Sequence, residues 1–175
     1  MTSTMRFDKW QNSLGNGNVS IESGNFYSPG SVIQVLQSTK TTSQSGSVSS
    51  SWVDISGLSV SITPKFNTSK FLILATINGS TTYDGLVRVV RDSTAVGVGT
   101  TSSTANGGSF IGMRGNTYEG FTSQITYLDS PSTGSTIVYK AQIWGNPTYY
   151  VNRTPNEDTS GEITMSSITV MEIAQ

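Results

Sequence analysis

The residue types that most often do chemistry in proteins are scarce in this chain. It contains no cysteine and no histidine, which excludes thiol nucleophiles, zinc sites built on thiolate or imidazole, and the usual Ser-His-Asp triad. Two carboxylates could still hydrolyse a glycosidic bond without histidine. The candidate acids are Asp54, Asp84, Asp92, Glu119 and Asp129. Most of them stand beside Ser, Gly or Pro, where Asp commonly makes local turn hydrogen bonds, so we predict turns and no catalytic residues.

Sequences that could hold a metal ion or a phosphate group are equally weak. Asn156, Glu157 and Asp158 offer three consecutive oxygen side chains, but these lack the alternate spacing of a calcium-binding loop. Gly97 and Gly99 lie among Val and Thr with no helix after them, which does not favour a phosphate-binding loop. We therefore predict a solvated loop around Glu157, no metal site and no cofactor.

Aromatic residues around one turn form the best candidate binding site. Trp144, Tyr149 and Tyr150 flank a Gly-Asn-Pro turn and could stack on the face of a sugar. Asn146, Asn152 and Arg153 would supply hydrogen bonds to the same glycan. The alternative is that Trp144 and one of the tyrosines belong to the core or to a subunit interface.

Composition bears on the partners of the protein. Charged residues make up 12% of the chain, where about 25% is usual. The chain also contains 29 Ser and 24 Thr, and its formal net charge is −1. Without a basic patch we expect no nucleic-acid partner, and without an apolar run near the roughly 20 residues of a membrane helix we expect no membrane insertion. The predicted surface is neutral and rich in hydroxyl groups.

The elements that must position these residues are strands. Leu58, Val60 and Ile62 alternate with polar residues, which is typical of a half-buried strand. Residues 71–77 are apolar at nearly every position and predict a strand that is covered on both faces. A polar turn at residues 64–70 separates the two, so we expect the chain to pass here from the edge of a sheet to its centre.

The rest of the chain repeats this pattern. Residues 31–37 predict a first strand, and the polar tract 38–51 predicts a long loop or an exposed edge. In total about nine or ten short strands, separated by Gly, Pro, Asn and Asp, occur with no convincing helix. We predict an all-β fold for residues 31–175, an antiparallel β-sandwich similar to a jelly roll, with a closed barrel as the alternative.

Residues 1–30 differ from the remainder because their apolar residues show no period. Phe7, Trp10, Leu14, Phe26 and Tyr27 are dispersed among Gly, Asn and Ser. A flexible leader is one interpretation. However, exposing large aromatic side chains to water wastes apolar area, so we predict an extended N-terminal arm that docks on a partner.

Four stretches form a further pattern: MRFDKWQNS from Met5, VDISGLSVSITP from Val53, LVRVVRDSTAVG from Leu86 and ITVMEI from Ile168. Together they resemble short virion proteins of tailed bacteriophages, particularly marine ones. The likeness covers nearly the whole chain from Met5. These stretches are strand and turn patterns that carry no catalytic residue.

The resemblance implies a non-enzymatic structural protein of the virion. Related virion sandwiches are commonly homotrimers, so a trimer is expected, with the arm on other capsid or tail proteins and the sandwich facing outward. A chain of 175 residues would form a short fibre, a knob or a capsid decoration, with host attachment as a further role. The alternative is a carbohydrate-binding adhesin that recognises host polysaccharide, and a depolymerase that uses Asp or Glu is a weaker third hypothesis.

Overall fold

Alternating apolar and polar residues form most of the strands in the part of the chain that the structure describes. The computed structural model describes residues 27–47, 51–100, 107–112, 120–145, 147–156 and 163–175, and no helix occurs in them. The strands in these ranges are β1 (Val32–Lys40), β2 (Gln44–Ser47), β3 (Val53–Ile62), β4 (Lys70–Thr81), β5 (Gly85–Arg91), β6 (Thr94–Val96), β7 (Phe110–Gly112), β8 (Phe121–Asp129), β9 (Ile137–Gly145), β10 (Thr148–Val151) and β11 (Ser166–Ile173). The predicted all-β class is confirmed.

The strands form two antiparallel sheets. The first sheet has six strands in the order β1-β11-β4-β10-β2, with β8 on the other edge of β4. The second sheet has five strands in the order β3-β9-β5-β6, with β7 also paired to β5. Because β11 pairs with residues 70–76 of β4 and β10 pairs with residues 79–81, these two strands share one edge of β4.

The inner faces of the two sheets meet in one hydrophobic core. The first sheet contributes the buried side chains of Phe71, Ile73, Ala75, Ile77, Ile168 and Val170, and the second contributes those of Leu58, Ile62, Val87, Val89, Tyr139 and Ile143. Fully burying one side chain of this kind stabilises the fold by about 1.5–3 kcal/mol. Since each sheet presents an apolar face to the other, the architecture is sandwich-like.

Within the described residues, the apolar strand β4 is covered on one face only. Phe71, Ile73 and Ile77 point into the core and are fully buried, whereas Leu72 and Leu74 lie on the outer face and are half-buried. The sequence predicts cover on both faces because its residues are apolar at successive positions. Among the described residues that cover comes only from the second sheet, and the outer face of the first sheet carries apolar side chains.

A charged cluster crosses from the first sheet to the second. Asp129 is 5% exposed, and Arg91 Nη1 donates hydrogen bonds to both of its carboxylate oxygens at 2.7 and 2.6 Å. The Tyr139 hydroxyl donates to Asp129 Oδ2 at 2.7 Å. Burial, together with the hydrogen bond and the charge of Asp129, raises the pKa of the Tyr139 phenol well above its ordinary value. Burial opposes ionisation of Arg91, but the hydrogen bond and charge of Asp129 outweigh it and raise the pKa of the guanidinium.

The turn that leads into β4 is held by a buried carboxylate. Glu172 is fully buried and accepts hydrogen bonds from the backbone N–H of Lys65 at 2.7 Å and of Phe66 at 3.4 Å. The Gln34 side chain donates to the same carboxylate. These bonds connect β1 and β11 to the predicted polar turn. They therefore fix the position at which β4 begins.

The two ends of the sandwich differ in what they carry. At the near end, Lys70 pairs with Ile173, and the chain enters β1 through backbone bonds from Gly30 N to Ala174 O at 2.8 Å and from Ala174 N to Ser31 O at 2.9 Å. At the far end, Gly79 of β4 pairs with both β8 and β10. A strand rises about 3.3 Å per residue, so these ends are roughly 30 Å apart along β4.

The predicted arm falls almost entirely outside the described residues. Phe7, Trp10, Leu14 and Phe26 lie there, and the division into an arm (1–30) and a sandwich domain (31–175) remains a prediction. Tyr27 is described and half-buried. Its ring meets that of Phe66 edge-on, with centroids 5.6 Å apart.

The Tyr139 hydrogen bond predicts a loss of stability at alkaline pH. Above about pH 10 the unfolded chain releases the tyrosine proton while the native state keeps it, so the free energy of unfolding falls as pH rises. We expect Tyr139→Phe to cost about 1–2 kcal/mol at pH 7 because Asp129 loses a donor. This deficit should narrow above pH 10, as measured by urea unfolding across the pH range. Tyr127→Phe, at a tyrosine that is 37% exposed, is the control. An unchanged alkaline slope in Tyr139→Phe would contradict the assignment.

Candidate functional site

The structure separates the aromatic residues that the sequence suggests as a glycan site. Trp144 lies on the outer face of the second sheet and is half-buried. Tyr150 lies on the outer face of the first sheet, and Tyr149 points into the core at 5% exposure. Successive residues of a strand point to opposite faces, and β9 and β10 belong to different sheets. The three rings therefore cannot stack on one sugar.

Tyr149 is a core residue, as in the alternative interpretation. Its hydroxyl accepts a hydrogen bond from Gln44 Nε2 at 3.2 Å. Its ring packs so closely on Gly46 of β2 that a Cβ at that glycine would lie 2.9 Å from the hydroxyl oxygen. Tyr149 thus joins β10 to β2. Because it is buried in the core, we no longer count it among the candidate glycan-binding residues.

Tyr150 and Arg153 do lie together at the far end. The Arg153 guanidinium stands 4.9 Å from the centroid of the Tyr150 ring, and its Nη2 donates to Ser45 Oγ at 2.8 Å. Asn146 is outside the described residues. Of the other residues predicted for the site, the structure brings Tyr150 and Arg153 together at the surface.

Arg153 also lines an open cleft of about 260 Å³ at the far end. The cleft is lined by Asn78, Gly79, Gly120, Phe121, Thr122, Arg153, Thr154 and Thr164. Hydroxyl, carboxamide and guanidinium groups suit hydrogen bonding to a polar, neutral ligand, and Phe121 adds an apolar surface. Its volume is below the roughly 300–1,000 Å³ of drug-sized sites, so it suits a small ligand or one unit of a polymer. None of the described lining residues is a carboxylate, so they provide no acid–base pair.

Asn152 fixes the backbone beside this cleft. It is fully buried, and its φ of 61° lies in the left-handed region, which asparagine tolerates better than most residues. Its Nδ2 donates to Lys40 O at 2.7 Å and to Thr42 O at 3.0 Å. Its Oδ1 accepts from Ser166 Oγ at 2.5 Å.

The same residue bridges two interruptions in the first sheet. Strand pairing is interrupted between β1 and β2 and between β10 and β11. The Asn152 carboxamide donates hydrogen bonds to the backbone carbonyls that are left unpaired between β1 and β2. Backbone bonds from Asn152 N to Asn78 O at 2.8 Å and from Thr164 N to Asn152 O at 3.0 Å complete the connection. The sequence suggests Asn152 as a hydrogen-bonding residue of the glycan site, but its carboxamide is fully buried and bonds Lys40, Thr42 and Ser166. This structural role was not predicted because Lys40 and Thr42 are more than a hundred positions away in the chain.

Polar side chains on the outer face of the second sheet form a closed network. Asp54 accepts from Lys140 Nζ at 2.7 Å and from Gln142 Nε2 at 2.6 Å, and Gln142 Oε1 accepts from Arg88 Nε at 2.8 Å. The Arg88 guanidinium stacks 4.0 Å from the centroid of Trp52. Burial opposes ionisation of Asp54, but the bonds from Lys140 and Gln142 and the Lys140 charge lower its pKa overall. Burial lowers the pKa of Arg88, which the charge of Asp54 offsets in part.

Three of the five carboxylates that the sequence offers for catalysis have structural partners in the described residues. Asp54 and Asp129 are in ion pairs with Lys140 and Arg91. Asp92 has a φ of 54° in the turn between β5 and β6, and its Oδ1 accepts from Val138 N at 2.9 Å. Glu119 is outside the described residues. Within the described ranges, no three His, Cys, Asp or Glu side chains cluster as metal ligands would.

Comparison with models of known protein families and with curated proteins finds no match for this chain. Across the described segments, no helix has the length and apolar character that crossing a membrane requires. The function proposed below therefore rests on the residues of the chain and on the resemblance described above.

Substitutions at Asn152 test its role beside the cleft. We expect Asn152→Ala to destabilise the fold by about 2–4 kcal/mol, since it removes the bonds to two carbonyls and places alanine in the left-handed region. Asn152→Gly loses the same bonds but accepts the positive φ, so it should be about 1 kcal/mol more stable than Asn152→Ala. Guanidinium unfolding measures both. Equal stabilities for the two variants would show that backbone strain at this position has no effect.

Proposed function

We propose that the protein is a non-enzymatic structural component of a bacteriophage virion, a short fibre, knob or capsid decoration. The N-terminal arm anchors it to the particle, and the sandwich faces outward. The observation that carries the proposal is that the two ends of the molecule differ. The chain enters at the near end, beside Tyr27, Gly30 and Ala174, and the polar cleft with Arg153 lies at the far end. An anchored protein of this shape presents its cleft away from the particle.

The strand order supports a jelly roll. Three pairs, β1/β2, β6/β7 and β10/β11, each occupy one edge of a neighbouring strand and can be counted as single interrupted strands. Numbered by position in the chain, the resulting eight strands run 1-8-3-6 in the first sheet and 2-7-4-5 in the second. This is the winding of two Greek keys in a jelly roll, a fold that capsid and lectin domains use.

The surface chemistry favours dense packing between virion proteins. A hydroxyl-rich, weakly charged surface exerts little long-range repulsion on neighbouring copies. We propose a homotrimer, as in related virion sandwiches, with other capsid or tail proteins as partners of the arm. The protein is then located in the virion.

A carbohydrate-binding adhesin is the second candidate function, and the far-end cleft favours it. Arg153 and Thr164 supply donors there, and the Tyr150 ring lies next to the guanidinium. This candidate is compatible with the first, because a virion protein that binds host polysaccharide would serve attachment. Compared with the site predicted from sequence, it keeps Tyr150 and Arg153, and it replaces Tyr149 and Trp144 with the lining of the cleft.

Immunogold electron microscopy tests the virion proposal. Antibody against residues 31–175 should label intact phage particles from the lysate in which the gene is expressed. Label around the head would indicate a capsid decoration, and label on the tail would indicate host attachment. Particles without label, in a lysate that contains the protein, would contradict the proposal.

A glycan array of bacterial surface polysaccharides tests the adhesin candidate. Replacing Arg153 by Gln should weaken binding about tenfold or more, because a charge-assisted hydrogen bond contributes roughly 1.5–3 kcal/mol. Arg88→Gln, on the outer face of the second sheet, is the matched control and should bind normally. Thermal unfolding confirms that both variants are folded. Equal binding by the two variants would exclude the far-end cleft.

A further inference from the structure

The first sheet has two long edges that no described strand covers. The strand β1 lies at one edge and pairs only with β11, and β8 lies at the other edge and pairs only with β4. In an antiparallel strand, every second residue turns its backbone N–H and C=O groups away from the partner strand. Among the described residues, no group bonds the outward backbone groups of residues 34–39 of β1 or 121–129 of β8. Both edges can therefore pair with a further strand.

Each of these edges exposes large side chains on both faces of its strand. On β1, Val35 on the outer face is 51% exposed and Leu36 on the inner face is 38% exposed. On β8, Leu128 on the outer face is 47% exposed and Tyr127 on the inner face is 37% exposed. Because neighbouring residues of a strand point to opposite faces, a partner that packs on one face covers only one residue of each couple. A strand added to the edge contacts both.

The two couples lie at the same level of the sheet. Counted across the paired strands, Val35 and Leu128 stand in one row, and Leu36 and Tyr127 stand in the next row. The strands β1 and β8 run in opposite directions, because three antiparallel pairings separate them. A second copy beside the first, with its near end on the same side, therefore brings its β1 antiparallel to β8 of the first copy.

Side chains of the two edges match when the rows are continued from one copy to the next. Directly opposite residues share a face, so like residues can contact each other there. The matched pairs, with the β8 residue first and the β1 residue of the second copy after it, are Leu128 with Val35, Tyr127 with Leu36, Thr126 with Gln37, and Gln124 with Thr39. Between them, Ile125 is already buried in its own copy and meets Ser38. A shift by two residues would instead place Leu128 against Gln37, so the side chains favour the unshifted register.

We propose that β8 of one copy pairs with β1 of a second copy of this chain, antiparallel and in this register. Two different edges meet in such a contact, so it repeats from copy to copy until a ring closes. A closed ring leaves neither of these long edges open, and open edges are where sheets aggregate. All near ends lie on the same side of the ring, as attachment to one particle requires. The inference deepens the proposed homotrimer and rests on it only for the number of copies.

Disulfide cross-linking tests the pairing, because the chain contains no cysteine. The double variant Gln37→Cys with Thr126→Cys places two exposed thiols opposite each other between copies. Within one copy these positions are three inter-strand gaps apart, about 14 Å, which is too far for a disulfide. In the matched control, Thr39→Cys with Thr126→Cys, the thiols are two residues out of register and their Cα atoms are about 8 Å apart between copies. We expect oxidation to link copies of the double variant at least about tenfold faster than copies of the control, as seen by non-reducing gel electrophoresis.

The single variants Gln37→Cys and Thr126→Cys should not cross-link, since neither has a thiol opposite its own. Urea unfolding curves establish that every variant is folded before oxidation. Equal rates for the double variant and its control, or single variants that link as fast, would overturn the proposal. Trimers in sedimentation without cross-links in the double variant would also overturn it, and another surface would then hold the trimer. Cross-linked ladders beyond three copies would support the strand pairing and contradict the trimer.

Discussion

The backbone of β4 is the constraint on which the rest of the structure depends. Its groups on one edge are satisfied by β8 over residues 71–79, and those on the other edge by β11 and then by β10. The change of partner takes place around Gly79, where a Cβ would lie 2.2 Å from the carbonyl oxygen of Tyr150. Only glycine allows β10 to approach here, so the position of β10, and with it that of Arg153, follows from the packing of β4.

The gap between β11 and β10 accounts for two features of the far end, the hydrogen bonds of Asn152 and the cleft beside it. Where two strands share one edge of β4, the pairing is interrupted between them, and buried backbone groups at that point need other partners. Asn152 provides them through its carboxamide and its backbone. The cleft beside it lies at the same interruption in strand pairing, which explains why its lining is polar although it adjoins the core.

Features that depend on neighbouring residues were predictable, whereas those that depend on distant partners were not. The alternation of Leu58, Val60 and Ile62 with polar residues gives the inner and outer faces of β3 directly, since side chains alternate along a strand. The strand β2 was expected only as a loop or exposed edge, because Gln44–Ser47 is polar and pairs solely through its backbone with β10. The cluster of Arg91, Asp129 and Tyr139 required the sheet register. Likewise, the burial of Tyr149 depends on its contact with Gly46, about a hundred residues earlier.

The pairing of β4 with β11 also has a consequence for synthesis on the ribosome. Thr76 pairs with Ser167, so one edge of β4 waits for a strand that is translated about ninety residues later. At about 5–20 residues per second this delay lasts roughly 5–18 s. During that time the nascent chain carries an apolar strand with an open edge. Such a strand can pair with the same strand of another chain, which leads to aggregation. Expression at high levels should therefore depend on chaperones that bind β4 before β11 emerges.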